Sequence, residues 1–432
     1  MQIQFLFSLI SRHRSGLTGF SLVIMLVTFL LQHLTSSESL APSIAAWLAL
    51  LLVWPALPPV NRQQCLILMT IGVVCVVISA GLGARIPWSS LLGNYVPLLC
   101  MLVAVSFLRL LASRSEEALP SGRRAIGSTL AAAHLLGAVL NLSILAIMGD
   151  RMARSSQLTL KQVLVIGRGF TFAALWSPFF VAMNVSLLSA PGMSFAQVFP
   201  VGAVIAVCAL ILSWWHLRQD AADFQGYPLN RQGLSLPVGL AALVIAAHQW
   251  SPQLSVTLLI TILAPSVALA LSGIRQRSSC FPAITQHVSA GLGRMGGELA
   301  LFLAAGVLSV GLTLITQQTG FSLPLHHFGA LEASILFPFI LILAWSGVHA
   351  MISVAVLSPI LLPLQPNPNM LGFMFLSSWA MGSGSSPLSG MNLMLALRYG
   401  VRSKQIWRAQ APFFLMLLPL IWAGLFWLDS YH

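Results

Sequence analysis

Long unbroken apolar runs alternate with short polar joints along nearly the whole chain. A helix needs about 20 apolar residues to cross the hydrocarbon core of a bilayer. Runs of that kind fall near 17–35, 42–58, 65–84 and 91–111, and the joints between them carry Arg12, Arg14, Arg62, Arg109, Arg114, Arg123 and Arg124. With the N-terminus in the cytoplasm these basic residues lie inside, as the positive-inside bias requires, and Arg85 is the exception. The first run is long for a cleaved signal peptide, although Ser39-Leu40-Ala41 faintly resembles a cleavage site, so residues 1–36 are expected to stay as a first transmembrane helix.

The run 125–148 breaks the alternation. Arg123 and Arg124 precede it, and Arg151, Arg154, Lys161 and Arg168 follow it, so both flanks read as cytoplasmic. A segment that dips in and returns satisfies both flanks, and the expectation is a re-entrant helical hairpin. Spans are then expected near 163–189, 196–216, 237–250, 254–273 and 298–317, with Arg218, Arg231, Arg275, Arg277 and Arg294 on the inside. The run 333–364 is too long for one ordinary helix, contains Pro338, Gly347, Pro359 and Pro363, and has no Lys or Arg at either flank. It reads as a second hairpin, reached from the outside. The stretch 370–397 crosses back to a basic loop (Arg398, Arg402, Lys404, Arg408), and 411–428 crosses out again. The expected fold class is an all-α polytopic membrane protein of about 11 transmembrane helices plus two re-entrant helical hairpins. The N-terminus is expected in the cytoplasm of a bacterial inner membrane and the C-terminus in the periplasm.

Composition fits this picture: 57% of the residues are hydrophobic and 7% charged, against roughly a quarter charged in an ordinary soluble domain. The acidic residues Glu38, Glu116, Glu117, Asp150, Asp220, Asp223, Glu298, Glu332 and Asp429 all sit at the edges of apolar runs, where a charge avoids the cost of the bilayer centre. The net charge of +12 is scattered over the joints, which reports topology and argues against a nucleic-acid partner. Cys65, Cys75, Cys100, Cys208 and Cys280 form no CxxC pair and no His/Cys cluster, so they read as small core residues. The Met and Trp content suggests no role of its own.

The two halves echo each other. Ser177-Pro178 is followed by Met183-Asn184, and Ser386-Pro387 by Met391-Asn392; more weakly, His134 and His349 are each followed by a small residue and Val. Between the two Ser-Pro elements the expected crossings reverse the direction of travel, which predicts inverted repeats. The repeats are 37–220, with hairpin 125–148 and broken helix 163–189, and 221–432, with hairpin 333–364 and broken helix 370–397.

Proline inside a helix removes a backbone hydrogen bond and clashes with the preceding turn. Residues 382–390, Gly-Ser-Gly-Ser-Ser-Pro-Leu-Ser-Gly, add flexible glycines and hydroxyls to that break. An unwound segment there frees carbonyls for a cation, while the next half-helix offers N–H groups to an anion. The candidate substrate- or ion-binding residues are Ser177, Asn184, Gly384, Ser385, Ser386, Ser389 and Asn392. His134, Asn141 and His349 in the hairpins are candidate proton or substrate contacts, because histidine titrates near neutral pH. For Ser177-Pro178 a plain structural kink is an equal reading, and each histidine is equally well read as neutral and bonded to a neighbouring helix.

This layout resembles the ion transporter superfamily, which includes divalent-anion:sodium symporters and the large membrane subunit of tripartite periplasmic transporters. The likeness rests on 125–190 and 333–400, including Leu357-Ser358-Pro359-Ile360-Leu361-Leu362-Pro363, Gly372 and the segment Gly382 to Pro387. The Ser-Asn-Thr motif of the dicarboxylate symporters is replaced by Ser-Pro and Met-Asn. The resemblance implies a coupled transporter of a small anionic organic solute, moved by an elevator-like or rocking motion, with a homodimer as the analogous assembly. Lipid and the solute are the expected partners, and a periplasmic binding protein is a further one if the tripartite likeness holds. No membrane-embedded carboxylate is available, so sodium held by carbonyls and hydroxyls, or protons on His134 and His349, would couple transport, and no other metal or cofactor is expected. A membrane enzyme acting on lipid-linked substrates is the alternative from another class; it normally needs acidic or basic catalytic groups on a long external loop, which this pattern lacks. A passive channel would leave the duplicated design without a purpose.

Overall fold

The computed structural model describes residues 2–111, 118–153, 157–219, 221–229, 231–276 and 279–430. Of the flanking charges named above, Arg114, Glu116, Glu117, Arg154, Asp220 and Arg277 lie outside the described residues, as do the side chains of Arg12 and Arg231. Among the described residues regular structure is helical, apart from one isolated bridge between Ser121 and Gln225. A backbone away from water must satisfy its own N–H and C=O groups, and for apolar runs of this length the helix does so.

The chain opens with α1 (Gln2–Thr35), α2 (Ala41–Val53), α3 (Pro59–Gly81), α4 (Trp88–Gly93) and α5 (Val96–Ser106). Next come α6 (Gly122–Leu140), α7 (Ser143–Met152), α8 (Leu160–Thr171), α9 (Val181–Ser189), α10 (Phe195–Leu217) and α11 (Arg231–Trp250). Then follow α12 (Val256–Gln276), α13 (Cys280–Gln286) and α14 (Gly296–Thr319). The last elements are α15 (Ala330–Trp345), α16 (Ala350–Leu361), α17 (Pro368–Ser385), α18 (Gly390–Tyr399), α19 (Ser403–Met416) and α20 (Leu418–Asp429).

Six stretches are long and apolar enough to cross a membrane: Arg14–Thr35, Pro59–Gly81, Trp88–Leu111, Phe195–Leu217, Val256–Arg275 and Cys280–Thr319. The pair α19–α20, bent by 43°, makes a seventh if taken as one span. Large apolar side chains on these helices point outward, with Val77 and Val204 each 63% exposed, a surface that suits lipid and not water. The chain is an α-helical membrane protein. The other four of the expected crossings are not single long helices. Runs 42–58 and 237–250 form the shorter apolar helices Ala41–Ala56 and Ser235–Trp250. Runs 163–189 and 370–397 are each interrupted, at Trp176–Phe180 and at Ser386–Ser389.

In space the chain forms two compact units, each assembled from two separate segments. The first combines Met1–Ser113 with Val244–Ser322, and the second combines Arg114–Leu243 with Leu323–His432. Within the first unit α3 and α14 cross so closely that a Cβ on Gly72 would stand 2.7 Å from the backbone of Val307 and Leu308. Small residues permit that approach where lipid offers no hydrophobic drive for association. Ser21 on α1 donates to the carbonyl of Ala45 on α2 at 2.8 Å.

The second unit holds all the candidate residues. In it α6 and α8 run side by side in the same direction. At their N-terminal ends both meet the 224–227 loop, through Gly122 N–H to Phe224 O and Gln162 Nε2 to Gln225 O. Further along, His134 on α6 meets Gly169 on α8. The intervening α7 therefore turns back, and α6–α7 form a helical hairpin. Likewise α15 and α17 run in the same direction: their N-terminal ends meet the end of α20 through Ala330 N–H to Asp429 and Asn367 Nδ2 to Leu428 O, and their C-terminal ends meet through Trp345 and Ser385, so α16 turns back between them. Helix α10 fixes the relative direction of the two hairpins. Ser194, at its N-terminal end, meets Asn369 in the first turn of α17, while Gln219, just beyond its C-terminal end, accepts from Lys161 in the first turn of α8. The two pairs thus start from opposite ends of a 23-residue helix, about 34 Å long at 1.5 Å per residue, and point towards each other.

Candidate functional site

The tip of each hairpin is sealed onto the break in the helix that follows it, by the same bonds in both places. Ser177 donates to the carbonyl of Ala138 on α6 at 2.5 Å and accepts from the N–H of Phe179 at 3.2 Å. Ser386 donates to the carbonyl of Ala344 on α15 at 2.6 Å and accepts from the N–H of Leu388 at 3.2 Å. Each serine thereby satisfies a carbonyl at the end of one helix and an N–H of the unwound segment that Pro178 or Pro387 enforces. Three residues beyond the bonded carbonyl the chain turns with a positive φ, at Asn141 (+52°) and Gly347 (+100°). Asn141 accepts a backbone conformation few side chains adopt, and its Nδ2 closes the tip onto the Phe179 carbonyl at 3.1 Å.

The two asparagines occupy the carbonyl clusters of the breaks. Asn184 Nδ2 donates to Pro178 O at 2.8 Å and Phe180 O at 3.3 Å. Asn392 Nδ2 donates to Ser386 O at 2.8 Å, Gly384 O at 3.1 Å and Ser383 O at 3.4 Å. An amide NH2 stands here where a small cation would draw on the same oxygens, and a sodium ion would have to displace it. Asn392 Oδ1 is buried without a hydrogen-bond partner, an acceptor held at the break. Ser389 caps α18 by accepting from Asn392 N–H at 3.2 Å. Ser385 donates to Met381 O at 2.6 Å and accepts from Trp345 Nε1 at 2.8 Å. At Gly384 a Cβ would collide with Phe414 and Thr171, so this glycine serves the packing of α17.

The histidines do not occupy equivalent positions. His134 lies within α6 and is 6% exposed. Indole N–H can only donate and a carbonyl can only accept. So Nε2 accepts from Trp176 Nε1 at 2.9 Å and Nδ1 carries the proton given to Gly169 O at 3.0 Å. Both ring nitrogens are engaged in the neutral form. His349 instead caps α16, its Nδ1 accepting from Met351 N–H at 3.1 Å, and its ring stands edge-on to Trp379.

Two further sets of residues escaped the sequence reading. Trp176 and Trp345 each tie a hairpin to its break, so tryptophan does carry a role. The indicator was their place, immediately before Ser177-Pro178 and two residues before Gly347. Arg168, expected on a cytoplasmic flank, is instead fully buried in the last turn of α8. Its Nε donates to Gln410 Oε1 at 2.7 Å, Nη2 reaches Ala409 O at 3.3 Å, and the guanidinium lies 3.6 Å over the Phe413 ring. The indicator was Gly167-Arg168-Gly169 inside the apolar run from 163.

At their far ends the hairpins are fastened differently. Asp150, at the end of α7, takes a two-pronged ion pair from Arg398 at 2.8 and 2.7 Å and a bond from Tyr399 at 2.9 Å. On the other hairpin Ser358 of α16 donates to the Ser189 carbonyl at the end of α9, at 2.6 Å. Beside this second seam Ala190, Pro191, Leu362 and Gln365 line an open cavity of about 370 Å³. The first set of candidates (His134, Asn141, Ser177, Asn184) and the second (Gly384, Ser385, Ser386, Ser389, Asn392) form separate clusters, linked through Thr171, whose hydroxyl lies 3.6 Å from Met391 Sδ.

No protein-family model and no curated protein matches this sequence.

Proposed function

We propose that the chain is an ion-coupled secondary transporter, not an enzyme, that moves a small anionic organic solute across a bacterial inner membrane by alternating access. The observation that carries this reading is the pair of oppositely directed hairpins, each sealed by a serine onto a broken helix, Ser177 to Ala138 and Ser386 to Ala344. We read them as re-entrant hairpins of two inverted repeats. Broken helices at membrane depth present carbonyls and helix ends to ions and solutes, and inverted repeats provide the two related arrangements that alternating access needs. The unequal seams fit one of those arrangements: the Asp150–Arg398 side is fastened by charge, and the Ser358 side opens into a cavity. In this reading the N-terminus is cytoplasmic, the C-terminus periplasmic, and sodium is the favoured coupling ion, bound when the Asn392 amide yields its carbonyls.

The test is the unfolding temperature of detergent-purified protein in sodium chloride and in choline chloride at equal ionic strength, with a panel of small carboxylates. Ligands that bind only the folded state stabilise it by about 2.7 kcal/mol at a hundred times their dissociation constant. A sodium-dependent rise, enlarged by one class of carboxylate, is expected. The absence of any shift with either ion or any solute would sink sodium coupling.

A further inference from the structure

The geometry points to an anion site at Arg168 and Gln410, where the negative group of a carboxylate is held by Arg168 Nη1 and Gln410 Nε2. Both atoms are buried and without a hydrogen-bond partner, and they belong to one bonded pair of side chains, joined by Arg168 Nε to Gln410 Oε1 at 2.7 Å. Arg168 is completely buried, as is Gln410. Among the described residues no carboxylate lies within ion-pair distance of Arg168. A guanidinium taken out of water without a counter-charge is strongly disfavoured, and a cation at membrane depth is retained where it meets a partner. Water would satisfy the two unpartnered NH2 groups but leave the charge, whereas a carboxylate supplies both acceptor oxygens and the counter-charge.

The neighbouring residues suit that occupant. The guanidinium face is covered by the Phe413 ring, which leaves the edge bearing Nη1 as the binding side. Gly167 lies beside the amide: a Cβ there would stand 3.6 Å from Gln410 Nε2 and 3.6 Å from Met391 Cε. That is ordinary contact distance, so alanine at 167 fits without strain and sets a methyl against the amide nitrogen that an anion would use. Thr171, one turn on, touches Met391 and packs against Gly384, which places the site next to the second break. The inference deepens the transport reading, since it names where the solute's negative charge sits, and it rests on that reading only for the solute's being the occupant.

The experiment uses the full-length purified protein. Thermal unfolding is followed against sodium acetate, sodium chloride and, as a bulky-anion baseline, sodium HEPES, all at equal ionic strength and pH, for the wild type, Arg168→Gln and Gly167→Ala. Acetate is expected to raise the wild-type unfolding temperature above the baseline, with an apparent dissociation constant at least about tenfold weaker in either variant, the loss expected of a charge-assisted bond pair. Gly167→Ala keeps the measurement decisive if removing the arginine compromises folding. Equal acetate dependence in the wild type and in Gly167→Ala, or none in the wild type, overturns the site. Chloride acting as strongly as acetate overturns the carboxylate assignment. Acetate binding that Gly167→Ala abolishes, in a protein that transports no solute, would support the site while sinking the transport reading. Solute uptake unchanged in a Gly167→Ala protein that has lost acetate binding would overturn the solute as the occupant of the site and leave the transport reading standing.

Discussion

Single hydroxyls and amides finish the broken helices of the second unit. Removing the Ser386 hydroxyl leaves the Leu388 N–H without its partner and takes one bond from the Ala344 carbonyl, which keeps the Gly347 N–H at 3.1 Å, and a buried group so orphaned costs about 1–3 kcal/mol. Ser386→Ala and Ser177→Ala are each expected to lower stability by that amount in detergent unfolding; a loss below about 0.5 kcal/mol in both would mean that the seals contribute little. A second residue lends itself to titration. Glu332, at the mouth of the second hairpin, accepts the Gly329 N–H at 2.9 Å, which holds its carboxyl below the usual range, aided by nearby His327. Because the folded carboxyl titrates lower than the unfolded one, its contribution is complete above the unfolded value and is lost as pH falls through the folded one. Glu332→Gln keeps an acceptor for the Gly329 N–H and removes only the charge, so it is expected to cost a few tenths of a kcal/mol at pH 7, and less and less as pH falls through the folded carboxyl's lowered value. A penalty that did not change with pH would assign the effect to packing. The polar breakers were legible because Pro, Gly and Ser advertise themselves. Arg168 was not, since a basic residue near a joint is read as a flank until neighbours from a distant helix, here Gln410 and Phe413, show what surrounds it.

Elements obey the same division between local and distant causes. The breaks at Trp176–Phe180 and Ser386–Ser389 fall at the prolines, where the chain itself forbids a continuous helix. Helix lengths were less legible. The expected span 298–317 belongs to a continuous stretch, Cys280–Thr319, that holds a π-turn at His287–Gly291, and the basic loop before 411 is already helical from Ser403. Hydropathy marks where a helix is apolar, not where its hydrogen bonds end. Fastening of α7 to α18 was invisible for another reason: Asp150 and Arg398 are far apart in sequence and each looks like an ordinary flanking charge. Their side chains are half exposed, at 50% and 51%, and exposed pairs contribute about 0.2–1 kcal/mol. A double-mutant cycle on Asp150→Asn and Arg398→Gln is expected to give a coupling near 1 kcal/mol, the upper end, because the pair is bidentate and shared with Tyr399. Additive single effects would show that this seam is not fastened by the pair.

For the molecule as a whole, the apolar pattern established a helical membrane protein, whereas the interleaving of two units, each drawn from two stretches of chain, depends on contacts that no local pattern encodes. The order of the hairpins and broken helices could be followed along the sequence; that α10 sets the two hairpins in opposite directions needed the bonds of Ser194 to Asn369 and of Lys161 to Gln219. The coupled-transport proposal requires that a solute gradient and an ion gradient be linked through this arrangement. The most direct measurement is uptake of labelled small carboxylates into proteoliposomes carrying the purified protein, with an inward sodium gradient imposed or withheld and a proton gradient as the parallel arm. Transient accumulation above equilibrium that requires the sodium gradient, and that falls at least about tenfold in Asn392→Ala, is expected, tenfold being the cost of about 1.4 kcal/mol of lost ion binding. Uptake that only equilibrates whatever gradient is imposed, and is indifferent to Asn392, would contradict the account and leave a passive pathway in its place.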